Sequence, residues 1–202
     1  MNRAVFLDRD GVINAALYNS AEGKLDTPYR LEDFRLLPGV AQAIQAINEM
    51  GFLAVVVSNQ PGVAKGRCDD AFLEAVDAEL TARLARQGAH LDAIYYCVHH
   101  PDAVDESLRV DCDCRKPKPG LLLRAAQELD IDLAGSFMLG DSPRDIEAGL
   151  AAGCQTILVD GHRSYFRLGE TTRMRPRWTA RNLLSAVEIV RCMQEGRPWR
   201  SS

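Results

Sequence analysis

Phe52-Leu53-Ala54-Val55-Val56-Val57 is an unbroken apolar run that leads straight into Ser58-Asn59-Gln60-Pro61-Gly62. A half-buried strand would alternate, so this run predicts a strand covered on both faces, inside a parallel sheet, opening into a polar loop. Other strands read from largely apolar stretches are expected at Ala4–Leu7, at residues 91–98, at residues 136–139 and at Gln155–Val159. Between them the apolar positions fall at helical spacing: Val40, Ala43, Ile44 and Ile47 between Pro38-Gly39 and Gly51, then Leu73, Val76, Leu80 and Leu84 before Gly88. Asp69 or Asp70 is placed to cap the second of these helices. Further helices are expected at 121–129, with Pro119 in the first turn, at 146–152 and at 182–193. Strand and helix alternating in this order predict an α/β fold, a doubly wound parallel sheet with right-handed crossovers.

The first strand stops at Asp8-Arg9-Asp10-Gly11. Side chains two apart on an extended chain point the same way, so Asp8 and Asp10 converge just beyond the strand end, where parallel sheets bind ligands. Two carboxylates that close repel unless a cation or a proton compensates them. Taken alone the pair also fits turn-forming acids before a glycine. Residues 15–36 show no sustained periodicity, and a long irregular excursion leaving the acidic turn is expected to lie over the site.

Composition narrows the class. With 202 residues, 47% hydrophobic and 26% charged, the chain suits one soluble globular domain over 1–202, with a motif-bearing core at 3–159 and an Arg-rich segment at 160–202. A net charge of -4 argues against a broad nucleic-acid face, and Arg163, Arg167, Arg173, Arg175, Arg177 and Arg181 read as a solvated surface segment. No apolar run approaches membrane-spanning length, and Arg3 and Asp8 interrupt any signal-peptide core, so a cytoplasmic monomer with no membrane partner is expected. In a reducing compartment the close-spaced Cys97, His99, His100, Cys112 and Cys114 point to a metal, with His99 and His100 both available as its nitrogen ligand. Cys68, Cys154 and Cys192 stand apart and read as small hydrophobes.

The loops together resemble the haloacid dehalogenase superfamily of phosphotransferases: DxDG at Asp8 and Asp10, a Ser after the second strand at Ser58, a Lys before a helix at Lys116, and Gly140-Asp141 with Asp145. FLDRDGVIN, VVVSNQPGVAKG, YYCVHHP and CDCRKPKPG are similar to the heptose 1,7-bisphosphate phosphatases and the related histidinol-phosphate phosphatases within it. The resemblance covers residues 4–159.

It implies a Mg-dependent phosphomonoesterase acting on a small phosphorylated metabolite. Asp8 would be the nucleophile, forming an aspartyl-phosphate, and Asp10 the general acid and base. Asp8, the backbone carbonyl of Asp10 and Asp141 would hold Mg2+, with Asp145 supporting them from behind. Ser58, the Asn59 amide and Lys116 would bind the phosphoryl oxygens, and Arg115 the rest of the substrate. The family pattern selects His99, and Cys97, His99, Cys112 and Cys114 then form a closed set for a structural Zn2+ that pins the loop carrying Arg115 and Lys116. No large cap domain is expected. The implied substrate is D-glycero-D-manno-heptose 1,7-bisphosphate, cleaved at the 7-phosphate, with histidinol phosphate the alternative. A zinc-pinned binding module without turnover is the alternative of another class, opposed by the presence of all five phosphatase-motif residues.

Overall fold

A computed structural model of the chain describes residues 1–19, 23–159 and 175–199. In chain order the elements are β1 (Ala4–Leu7), β2 (Leu17–Asn19), β3 (Lys24–Asp26), α1 (Val40–Glu49), β4 (Leu53–Asn59), α2 (Asp70–Ala85), β5 (Ala93–Cys97), α3 (Gly120–Glu128), β6 (Phe137–Gly140), α4 (Pro143–Ala152), β7 (Gln155–Val159), β8 (Trp178–Ala180) and α5 (Leu183–Gln194). Short 3-10 turns stand at Leu31–Asp33 and Glu106–Leu108.

The strand that begins the chain lies in the middle of the sheet. β1 pairs in parallel with β4 on one side, Ala4 opposite Leu53, and with β6 on the other, Val5 opposite Phe137. The full order is β5-β4-β1-β6-β7-β8, every neighbour parallel. Both faces of β1 are covered, which is why it reads as an apolar run without alternation. Val5 and Leu7 enter one core with Ala54, Val56 and apolar residues of α1, α2 and α5, while Ala4 and Phe6 enter the other with Val55, Val57 and residues of α3 and α4. Burying a side chain such as Phe6 or Leu7 stabilises the fold by about 1.5–3 kcal/mol each, so the strand that carries the first acids is firmly held.

Several boundaries differ from expectation. The excursion after Asn14 is not wholly irregular: β2 and β3 pair as an antiparallel hairpin, Leu17 opposite Asp26. Strands this short present too few residues for a period of two to show. β8, paired with β7, is a sixth strand of the parallel sheet inside the stretch read as solvated surface, and at three residues it is likewise too short to show a period. Residues 160–174, with Arg163, Arg167 and Arg173, lie outside the described residues. α3 starts after Pro119, which caps it rather than occupying its first turn, and α4 begins earlier than its apolar pattern, at Pro143, because Ser142 and Asp145 form a capping box. Asp69, not Asp70, caps α2, accepting from the Phe72 amide at 2.9 Å. No insertion of cap-domain size interrupts the described residues, and none of their helices is long and apolar enough to cross a membrane.

α4 approaches β6 closely at Gly149, where an added Cβ would stand 2.6 Å from Met138 Cβ and 2.8 Å from Thr156 Cγ2. Both atoms belong to the rigid sheet and cannot swing aside. Gly149→Ala is expected to lower the unfolding free energy by about 1–3 kcal/mol, the usual range for overpacking a filled core, as measured by urea denaturation. A change within experimental scatter would show that helix and sheet are not in contact there.

Candidate active site

Strand order reverses direction at β1, and the crevice beyond the carboxyl ends of β1, β4 and β6 is where an open parallel sheet binds ligands. Asp8 is placed there by its amide, which donates to the Leu139 carbonyl at 3.0 Å. Ser58 and Asn59 come from the end of β4, and Asp141 follows β6. The turn after Asp10 passes so near Asp141 that a Cβ on Gly11 would lie 2.0 Å from Asp141 Oδ2, and Gly11 also has φ +89°. Space and backbone both require glycine.

Lys116 enters this crevice from the loop before α3. Its ammonium, 2% exposed, donates to the Val57 carbonyl at 2.9 Å and lies 2.9 Å from Asp8 Oδ1. It also lies 2.5 Å from Asp145 Oδ1, an ion pair defined by proximity rather than a well-aimed hydrogen bond. Burial alone would weaken its hold on the proton, but Asp145 and Asp8 more than reverse that, so the group stays charged. Burial, then the neighbouring Asp145, pushes the Asp8 carboxyl up to about 6 against the pull of Lys116. Burial and the charges of Asp8 and Asp145 push Asp141 up to about 8. Asp8, Asp141 and Asp145 each offer an oxygen, all within 4.8 Å of one another. Three carboxylates against one ammonium leave a deficit of positive charge, and the donors are hard oxygens, the set that takes a small divalent cation. Asp145 is the most committed of the three, since its Oδ2 accepts from the Ser142 amide at 3.0 Å and hydroxyl at 2.6 Å while Oδ1 faces Lys116.

Asp10 has different company. Its Oδ1 accepts from Asn14 Nδ2 at 2.8 Å and Thr27 Oγ1 at 2.9 Å, and its Oδ2 from Gln60 Nε2 at 2.7 Å and Arg9 Nη2 at 3.2 Å. Arg9 Nη2 also reaches Oδ1 at 3.5 Å, so several donors on each oxygen hold the carboxylate in one orientation, apart from the cluster around Lys116. Thr27 comes from the end of the hairpin, so the excursion does reach the site as expected. Arg9, Asn14, Thr27 and Gln60 are the residues the sequence reading missed. Arg9 and Gln60 lie inside the quoted motifs, but only their burial, 0% and 1%, shows that they belong to the interior.

Cys97, His99, Cys112 and Cys114 converge beyond β5. Cys97 Sγ lies 3.6 Å from Cys112 Sγ and 3.3 Å from Cys114 Sγ, and His99 Nδ1 lies 3.8 Å from Cys97 Sγ and 3.3 Å from Cys114 Sγ. A tetrahedron with Zn–S bonds of about 2.3 Å has edges of about 3.8 Å, so the four atoms are spaced to close on one such ion with slight expansion. His100 is turned away, its Nδ1 accepting from the Asp102 amide at 3.0 Å. Cys154 and Cys192 are buried elsewhere and Cys68 is half-buried, as expected of small hydrophobes.

The cluster holds the loop that delivers Arg115 and Lys116. Arg115 Nη1 donates to the His99 carbonyl at 3.1 Å, and the Asn59 side chain pairs both ways with the Lys116 backbone at 3.0 Å. Beside Lys116 opens a cavity of about 700 Å³ whose walls include Arg109, Arg115, Lys118 and Arg144, opposed by Asp111.

Residues 113–186 match the HAD-hydrolase-like family model. The D-glycero-β-D-manno-heptose-1,7-bisphosphate 7-phosphatase of Photorhabdus laumondii is 43% identical over 151 residues, 74% of this chain and 75% of that protein. The enzyme of the same name from Escherichia coli K12 is 42% identical over 155 residues, 76% of each. Among solved structures, the D,D-heptose 1,7-bisphosphate phosphatase from B. bronchiseptica complexed with magnesium and phosphate superposes with a TM-score of 0.78 at 33% identity, covering 96% of this chain and 99% of that one. Sequence identity of this extent and a shared fold agree with the constellation of acids and lysine at the strand ends, and the chain therefore belongs to the haloacid-dehalogenase-like hydrolases, in the phosphatase family that these enzymes represent.

Proposed function

We propose that the chain removes the 7-phosphate of a D-glycero-D-manno-heptose 1,7-bisphosphate through an aspartyl-phosphate, with Mg2+ at the acids and Zn2+ at the cysteines. The observation that carries this reading is the division between the two acids of the first loop: Asp8 lies against a buried ammonium, while Asp10 is held separately by four neutral or cationic donors. Two separate environments support reading Asp8 as the nucleophile and Asp10 as the proton carrier.

Asp8 attacks phosphorus, the ester P–O bond breaks, and the leaving sugar oxygen takes the proton of Asp10. Asp10, now a carboxylate, takes a proton from water as that water attacks the aspartyl-phosphate. Inorganic phosphate leaves, with Asp8 free and Asp10 protonated again. Throughout, the Ser58 hydroxyl, the Asn59 amide and the charge of Lys116 hold and neutralise the phosphoryl oxygens. Asp8, the Asp10 carbonyl and Asp141 would hold magnesium, which would supply the positive charge that three carboxylates and one ammonium lack. Asp145 lies against the Lys116 ammonium together with Asp8. Cys97, His99, Cys112 and Cys114 would hold zinc, which would cross-link the loop and so keep Arg115 and Lys116 at the crevice.

Two features support the substrate. The relatives at 43% and 42% identity are named for it. The cavity beside Lys116 is lined by Arg109, Arg115, Lys118 and Arg144, which suits a second phosphate. The same lining opposes histidinol phosphate, whose remaining portion carries an ammonium group.

A panel of phosphorylated metabolites with Mg2+, including both heptose 1,7-bisphosphate anomers and histidinol phosphate, tests the assignment by phosphate release. The heptose bisphosphate is expected to give the highest kcat/KM, and a clear preference for histidinol phosphate would refute the substrate. Asp8→Asn is expected to lose about a thousandfold or more in kcat, as removal of a nucleophile does, and activity surviving in that variant would refute the mechanism.

Cys112→Ser is expected to lose bound zinc by metal analysis and to lower kcat/KM while the far-ultraviolet circular dichroism of the sheet persists. Unchanged zinc content would eliminate the cross-link.

Metal linkage gives a third expectation. Asp8 and Asp141 have ordinary values of 3.8 and are raised to about 6 and about 8 in the folded, metal-free chain. Over that interval the folded chain binds more protons than the unfolded one, so its stability falls as pH rises from about 4 to about 8. Magnesium replaces those protons. The rise in melting temperature on adding MgCl2 to EDTA-treated protein is therefore expected to be larger at pH 8 than at pH 5, and an equal or smaller rise at pH 8 would contradict the assignment of these carboxylates to the metal.

A further inference from the structure

Arg9 is a fully buried cation whose guanidinium lies against Asp10. Its Nη2 donates to Asp10 Oδ2 at 3.2 Å, to Thr27 Oγ1 at 2.9 Å and to Gln60 Oε1 at 2.9 Å. Its Nη1 donates to the Tyr96 hydroxyl at 3.1 Å, and the guanidinium carbon lies 5.3 Å from the centre of the Tyr96 ring. The Tyr96 hydroxyl in turn donates to Asp77 Oδ1 at 2.5 Å. A line of polar contacts thus runs from Asp77 on α2, through Tyr96 on β5, to Arg9 and Asp10.

Burying a guanidinium costs several kcal/mol unless its charge and donors are matched, and an apolar residue would fill the space more cheaply. Packing alone therefore does not account for Arg9. What the charge does achieve is visible in its partners. Arg9 supplies one of the two donors on Asp10 Oδ2, and through Gln60 Oε1 it orients the amide that supplies the other, Gln60 Nε2, at 2.7 Å. It also donates to Thr27, whose hydroxyl is a donor to Asp10 Oδ1. Three of the four donor groups that aim the Asp10 carboxylate depend on where this guanidinium sits. Tyr96 fixes that position twice, with its hydroxyl and with the face of its ring, and Asp77 holds the hydroxyl.

We propose that Arg9 is the positioning residue for proton transfer by Asp10, and that Tyr96 and Asp77 act on the reaction from a distance by holding Arg9. The inference rests on the phosphatase reading and on Asp10 as its proton carrier. A general acid must lie within hydrogen-bond reach of the oxygen it protonates, and a displacement of about 1 Å can cost about a hundredfold in rate. Loss of aim at Asp10 has a signature that general loosening of the fold does not share. It matters for a sugar phosphate, whose leaving oxygen must be protonated, and not for 4-nitrophenyl phosphate, whose leaving group departs as a stable anion. The quantity to compare is kcat/KM, which covers only the steps up to departure of the leaving group.

Tyr96→Phe removes one hydroxyl and keeps the ring beneath Arg9, and Asp77→Asn keeps the shape of the residue behind it. In each variant kcat/KM for the best sugar phosphate of the panel is expected to fall about tenfold, a partial loss of the 10²–10⁴ that general acid catalysis contributes, with 4-nitrophenyl phosphate within about twofold of wild type. If Tyr96→Phe does not fold, the Asp77→Asn arm carries the same expectation. Equal losses on both substrates would reduce the chain of contacts to a structural role, and no loss on either would remove it from catalysis; both results overturn the inference while leaving the phosphatase reading standing. Wild-type protein that hydrolyses neither substrate would overturn the two together.

Discussion

The site depends on one buried ammonium. Lys116 brings positive charge to a crevice that holds Asp8, Asp141 and Asp145, and its donors reach a β4 carbonyl, the acid at the end of β1 and the acid in the first turn of α4. Without it three carboxylates would share a site of low polarity with no internal counter-charge, and the sheet edge would be forced to take up protons or open. With it the site still lacks positive charge. That residual deficit is chemistry suited to a small cation, and raised carboxyl values of this kind cluster at functional sites.

The acids of the first loop share a turn but have separate environments. Asp8 faces the lysine and the other carboxylates, and Asp10 faces amides, a hydroxyl and a guanidinium. Environment, not residue type, is what separates two identical side chains. Gly11 makes this separation possible, because only a residue without a Cβ lets the turn pass against Asp141 while carrying Asp10 away.

The cysteine cluster works at one remove. A loop that must deliver a charged Lys into the interior cannot be held by apolar packing along its length, and the segment between β5 and α3 contributes little to either core. Four ligand atoms spaced for one tetrahedral ion, together with the two-way pairing of Asn59 with the Lys116 backbone, provide the rigidity. The basic residues left at the surface by this arrangement, Arg109, Arg115, Lys118 and Arg144, form a wall beside the lysine.

Much of this was readable in the chain. Apolar runs ending in polar loops determined a parallel α/β sheet, because strands covered on both faces lack the alternation of half-buried ones, and Asp8, Asp10, Ser58 and Asp141 stood at the run ends, with Lys116 just before a helix. Cys97, His99, Cys112 and Cys114 were legible from ligand chemistry and family pattern. The hairpin of β2 and β3 and the edge strand β8 were not, since three residues cannot display a period. Nor was the bracing of Asp10: Thr27, Gln60, Tyr96 and Asp77 come from four separate elements, and no local spacing links them to Arg9. Local periodicity reports which face of an element is buried, and it determined the fold and the strand ends at which Asp8, Ser58 and Asp141 stand. Which buried polar group meets which depends on contacts between residues far apart in the chain, so the aim of each acid and the charge on each wall were decided only by the tertiary structure.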